Sequence, residues 1–252
     1  MQAVLYVAHG TRVQQGIEEA RNFIERVKPH ISIKIQELAF LELAQPDILQ
    51  GIEQCVKRGA TKIAVVPILL LAAQHAKEDI PKLLAQANEQ YPQITLTLAQ
   101  PFGIHPKLIE TLYKRILEQQ LELVPDAEVL LVGRGSSDPD VARDMEVIAQ
   151  QLEQTYSFHR VSTCFLYGAT PSFEEVVAQL QQRPLKQLFI VPYLLFSGLL
   201  RNGIQKKIQV LDASRVILCD SLGYDDNVEQ VLIERVHEVI RGEHHVEKRQ
   251  QY

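Results

Sequence analysis

The chain has 252 residues, 46% hydrophobic and 23% charged, enough for one large α/β domain or two of about half that size. A formal charge of −5 excludes whole-protein attraction to nucleic acid or an anionic membrane, while a local basic patch still suits a small acidic ligand. Three scattered cysteines without a C-x-x-C pair exclude a disulfide framework, a Cys-rich zinc site and an iron–sulfur cluster. The opening "MQAVLYVAHG" has no basic n-region, and no apolar run approaches the roughly 18 residues that span a bilayer, so a soluble cytoplasmic protein is expected.

Val4–Val7 is a short apolar run leading into a Gly-containing turn. Val13, Ile17, Ala20, Ile24 and Val27 then recur at helical spacing. Ile31, Ile33 and Ile35 alternate with Ser32 and Lys34, the pattern of a half-exposed strand. Pro46-Asp47 opens a helix with Ile48, Ile52, Cys55 and Val56 on one face, and Gly59 closes it. Lys62–Leu71 is apolar on both faces, as a central parallel strand is. A further helix, a strand at Ile94–Leu98 and a helix from Pro106 follow.

The same order then repeats. "VLYVAHGTR" returns as "VLLVGRGSS", "AFLELAQP" as "CFLYGATP" and "VVPILLLA" as "IVPYLLFS", all at one offset of 125 residues (Gly10 to Gly135, Phe40 to Phe165, Pro67 to Pro192). "PFGIHPKLIETL" matches "SLGYDDNVEQVL" at an offset of 120. The expected organisation is two lobes, 1–124 and 125–252, each a parallel sheet flanked by helices, with a cleft between them. Ligands in such sheets bind beyond the carboxyl ends of the strands, where His9, Glu42 and His75 fall. A final helix spans about Asn227–Arg241, and the tail with His244-His245 shows no periodicity.

Matched positions that differ in chemistry point to specialisation. His9 faces Arg134, Glu42 faces Tyr167 and His75 faces Leu200. Two imidazoles and a carboxylate suit a divalent ion such as Fe²⁺, Co²⁺ or Ni²⁺, and leave positions open for exchange. They also accept protons near neutral pH. "GRGSSDPD" reads as a Gly-rich anion loop before a helix, where free N–H groups and Arg134 suit a carboxylate or phosphate. It matches neither standard nucleotide motif. "AHGTR" echoes the Arg-His-Gly of histidine phosphatases, but Ala8 stands where their arginine would be.

The set "VAHGTR", "FLELAQP", "VVPILLLAAQHAKEDIP", "PFGIHP", "GRGSSDPD" and "VPYLLFSG" resembles the class II tetrapyrrole chelatases, closest to sirohydrochlorin ferrochelatases of the double-length, bacilli type. The resemblance covers essentially the whole chain. It implies metal binding at His9, His75 and Glu42 in the first lobe only, and insertion of Fe²⁺, or alternatively Co²⁺ or Ni²⁺, into sirohydrochlorin without an organic cofactor. Sirohydrochlorin carries eight carboxylates, so Arg12, Lys77, Arg134, Arg201 and Lys206 become candidate anchors, with Thr11, Ser136 and Ser137 as neutral donors. An internal pseudo-two-fold needs no partner chain, so a monomer is expected. A cobalt chelatase and a non-catalytic metal or tetrapyrrole carrier stay open as alternatives.

Overall fold

The computed structural model describes residues 1–196 and 198–242, so the expectation placed on His244-His245 lies outside the described residues. The first sheet holds β1 (Gln2–Ala8), β2 (Ile35–Phe40), β3 (Lys62–Pro67) and β4 (Thr95–Leu98), all parallel, in the order β2-β1-β3-β4. The second holds β5 (Ala127–Gly133), β6 (Arg160–Phe165), β7 (Gln187–Tyr193) and β8 (Val216–Leu218), again parallel, in the matching order β6-β5-β7-β8. Strand order reverses direction between β1 and β3 and between β5 and β7, which puts a switch-point crevice at both carboxyl ends.

Helices α1 (Gln14–Val27), α4 (Pro106–Leu117), α5 (Pro139–Tyr156) and α8 (Asp226–Arg241) lie between the two sheets. Their apolar faces, with Phe23, Leu112, Met145 and Leu232 fully or almost fully buried, join both sheets into one core. Each such side chain contributes roughly 2 kcal/mol by leaving water. The outer faces are covered by α2 (Ile48–Lys57) and α3 (Ile80–Gln90) on the first sheet, and by α6 (Phe173–Leu180) and α7 (Gly198–Lys207) on the second.

The halves exchange their last helices. The α4 helix packs on β7 of the second sheet, and α8 packs on β3 of the first. Reciprocal arginines fasten the exchange. Arg115 donates through Nε and Nη2 to the carbonyls of Ser221 and Leu222 at 2.8 and 2.6 Å. Arg235 donates in the same way to Pro101 and Phe102 at 3.0 and 2.7 Å.

Two boundaries differ from the sequence reading. The strand read at 31–35 lies later, from Ile35 to Phe40, because Pro29 sits in a 3-10 turn and Gln36 Nε2 donates to the carbonyls of Lys28, Ile31 and Ile33. The third strand ends at Pro67 rather than Leu71. The carbonyls of Leu69 and Leu70 instead accept from Phe102 and Gly103 of the loop after β4. Asp47 caps α2 through a capping box with Gln50, and Gly59 follows that helix at φ +88°. Among the described residues no helix is long and apolar enough to cross a membrane.

Candidate metal and macrocycle site

His9 is the first residue after β1, at the carboxyl end of a strand flanked on both sides. The chain after β2 straps across this end: Leu41 N–H donates to Ala8 O and Glu42 N–H to His9 O at 3.1 Å. Only glycine at position 10 permits so close a strap. Gly10 sits at φ +93°, and a Cβ there would lie 1.8 Å from the Glu42 carbonyl oxygen. The strap brings the Glu42 carboxylate to 3.5 Å from His9 Nδ1. Its next residue, Leu43, takes a left-handed φ of 62° and is half exposed.

The second lobe builds the same strap without the same chemistry. Tyr167 N–H donates to Arg134 O at 2.9 Å, and a Cβ on Gly135 (φ +88°) would lie 1.8 Å from the Tyr167 carbonyl oxygen. Arg134 thus holds the place of His9 and Tyr167 that of Glu42. The two loops meet: Arg134 Nη1 lies 2.9 Å from His9 Nε2.

His75 begins a π-helical turn, His75–Asp79, that leads into α3. It stands eight positions beyond the end of β3, further from the strand than the apolar run suggests. Its side chain lies outside the described residues. Among the described residues no group of three or more His, Cys, Asp or Glu side chains is arranged to hold a metal; the pair brought together is His9 and Glu42.

The same turn is tied to the other lobe. Lys77 Nζ donates to Asp138 Oδ2 at 2.7 Å and to Asp140 Oδ2 at 2.6 Å. Burial pulls the lysine pKa down, but the two carboxylate hydrogen bonds outweigh it and the net direction is up. Asp140 is held below its ordinary value, chiefly by the Lys77 hydrogen bond. The loop that carries Arg134 is therefore linked to the turn that starts at His75.

The remaining candidate anchors fall into two groups. Arg201 pairs with Asp220 at 2.8 Å, and the Thr11 and Ser136 hydroxyls each accept from the backbone N–H two residues on, at Val13 and Asp138. Arg12, Ser137 and Lys206 are exposed. His105 caps α4, accepting from Lys107 N–H, and faces Glu234 at 3.0 Å; burial lowers its pKa despite that carboxylate. Cys55, Cys164 and Cys219 are buried free thiols, each pushed up to about 12 by burial.

Sequence reasoning missed the Lys77 tie and the reciprocal arginines. Arg115 and Arg235 stand at the 120-residue offset already visible in the repeat, so that signal was present. No sequence signal marked Lys77 as the partner of two aspartates sixty residues away.

The duplicated frame of two parallel four-stranded sheets flanked by helices is that of the class the motifs resembled, the class II tetrapyrrole chelatases. The chain belongs to the CbiX family, whose model matches it twice, over residues 3–119 and 128–239. It is 46% identical to the sirohydrochlorin ferrochelatase of Priestia megaterium, over 94% of this chain and 90% of that protein. It is 33% identical to the sirohydrochlorin cobaltochelatase of the same organism, over 96% of this chain and 81% of that protein. The solved structure of SirB from Bacillus subtilis with Fe³⁺ superposes with a TM-score of 0.89 at 42% identity, covering 96% of this chain and 97% of that one.

Proposed function

We propose that this chain inserts Fe²⁺ into sirohydrochlorin to form sirohaem with release of two protons, the last step of sirohaem synthesis. The observation that carries the reading is the one-sided site: His9 and Glu42 sit together at the switch point of the first sheet, and Arg134 meets them from the second. The 46% identity to a ferrochelatase, against 33% to a cobaltochelatase, favours iron over cobalt.

The chemistry follows from charge balance. An ion of charge +2 replaces two pyrrole N–H protons, so the ring keeps its charge while two protons must leave. The imidazoles of His9 and His75 hold the incoming ion as neutral nitrogen ligands, and Glu42 completes the set or takes a proton. The Glu42 side chain is nearly half exposed and can pass that proton to water. Arg134 anchors a ring carboxylate, with Arg12, Ser136, Ser137, Thr11, Lys77 and Arg201 as further anchors at the cleft. No organic cofactor takes part. The chain acts as a monomer, since its own second lobe closes the site. Three buried reduced cysteines fit a reducing cytoplasm.

Anaerobic spectrophotometry with sirohydrochlorin and equal concentrations of Fe²⁺, Co²⁺ or Ni²⁺ tests the reading. Formation of the sirohaem spectrum, fastest with Fe²⁺, is expected. Insertion of Co²⁺ alone assigns the chain to the cobalt branch, and tight binding without product makes it a carrier.

A further inference from the structure

Guanidinium nitrogens only donate hydrogen bonds. The Arg134 Nη1 atom 2.9 Å from His9 Nε2 therefore directs a hydrogen at a ring nitrogen that accepts. His9 Nε2 presents its lone pair to Arg134, and the ring proton resides on Nδ1, the nitrogen facing Glu42 Oε1 at 3.5 Å. A carboxylate at Nδ1 is the usual partner of a ligating histidine's other N–H, so the nitrogen left to a divalent ion is Nε2, and the ion needs that same lone pair. Arg134 and the metal are alternative occupants of one atom.

We infer that Arg134 is a positioning residue that keeps the metal-binding nitrogen of His9 covered until a carboxylate of the incoming macrocycle draws the guanidinium away. Ring binding then opens the site to metal. The inference deepens the function proposed above and rests on that reading.

The surroundings of Arg134 support this role. Among the described residues no carboxylate pairs with it, whereas Lys77 is held by Asp138 and Asp140, and Arg201 by Asp220. Its donor is spent on the His9 ring rather than on a counter-ion. The side chain is exposed, so it swings without disturbing the core. A carboxylate offers a guanidinium two parallel charge-assisted hydrogen bonds, a better partner than one imidazole nitrogen. The charge of Arg134 also repels a dication at His9 while the two are in contact. By linkage, whatever moves Arg134 off His9 strengthens metal binding, and bound metal strengthens ring binding in return.

The test is the Co²⁺ binding isotherm of the metal-free full chain, followed by visible absorption, in wild type, Arg134→Ala, His9→Ala and the double variant. Arg134→Ala should bind Co²⁺ about ten-fold more tightly than wild type, or better. His9→Ala should bind it more weakly, and Arg134→Ala should give no gain in the His9→Ala background. Arg134→Leu serves as a second variant with the same expected order. Equal or weaker binding in both Arg134 variants overturns the inference, and so does an equal gain in the His9→Ala background. The wild-type insertion assay separates the two levels. Metal insertion by wild type with no gain in the Arg134 variants overturns the gate alone; absence of insertion by wild type overturns the proposed function itself.

Discussion

At the carboxyl end of β1 the chain carries His9, and at the same point of β5 it carries Arg134. Both are crossed by a strap held by the same backbone hydrogen bond and allowed by a glycine at positive φ. The straps differ in what they offer: Glu42 in one lobe, the exposed Tyr167 in the other. Beyond the third strand, His75 begins a π-helical turn, while Leu200 is partly buried on the outer core of the second sheet. One scaffold thus carries an imidazole–carboxylate pair on one lobe and a guanidinium on the other, the faces proposed above to hold metal and anion. The matched straps show that the fold does not need an imidazole at the end of the first strand of a lobe.

The strongest way to break the comparison is to remove the chemistry and leave the frame. His9→Ala or His75→Ala should lower insertion at least about 100-fold, with melting temperature little changed. Near-normal turnover in both variants would defeat the metal assignment. Next, the frame can be damaged equally in both lobes. Gly10→Ala and Gly135→Ala should each destabilise the chain by about 2–3 kcal/mol in urea unfolding, because each places a methyl group on a carbonyl oxygen. Gly10→Ala should also lower the catalytic rate of the folded fraction far more than Gly135→Ala. Equal losses of rate would mean that the lobes share the chemistry.

Arg115→Ala and Arg235→Ala probe the exchanged helices. Each strips two donors from loop carbonyls of the opposite lobe, so each should cost about 2 kcal/mol, and the two costs should match. A large cost from one and none from the other would contradict the pseudo-two-fold description. The smallest effect belongs to Lys77→Met, whose partners are partly exposed; it should lower the melting temperature by less than about 2 °C. Its pH signature is more telling. Asp140 has a folded pKa below its ordinary 3.8, so the stability it contributes is present above that value and lost as pH falls through the folded value. Lys77, raised above its ordinary 10.5, contributes stability that is present below that value and lost as pH rises through the folded one. Melting curves of Lys77→Met should be flatter than wild type at both extremes, and parallel curves would show that the tie carries no stability.

The sequence carried the frame well because the repeat compared each position with a second copy of itself. The 125-residue offset aligned Gly10 with Gly135 and His9 with Arg134, and the structure gives these pairs equivalent backbone roles. Boundaries were less legible. Ile31 and Ile33 alternate like a strand, yet the Gln36 amide gathers their carbonyls into a turn, a contact that periodicity does not express. The cross-lobe contacts were illegible for a related reason. Lys77 with Asp138, and Arg134 with His9, depend on how two lobes pack, which no pattern within either lobe expresses. Arg115 was readable in principle from its match with Arg235, but only the exchanged helices give that match a meaning.

Metal stoichiometry tests the asymmetry of the lobes most directly. Equilibrium dialysis of the metal-free chain against Co²⁺ should give one ion per chain at saturation, held more tightly in Arg134→Ala than in wild type and lost in His9→Ala. Two tight ions per chain, or one that survives His9→Ala, would contradict a metal site confined to the first lobe.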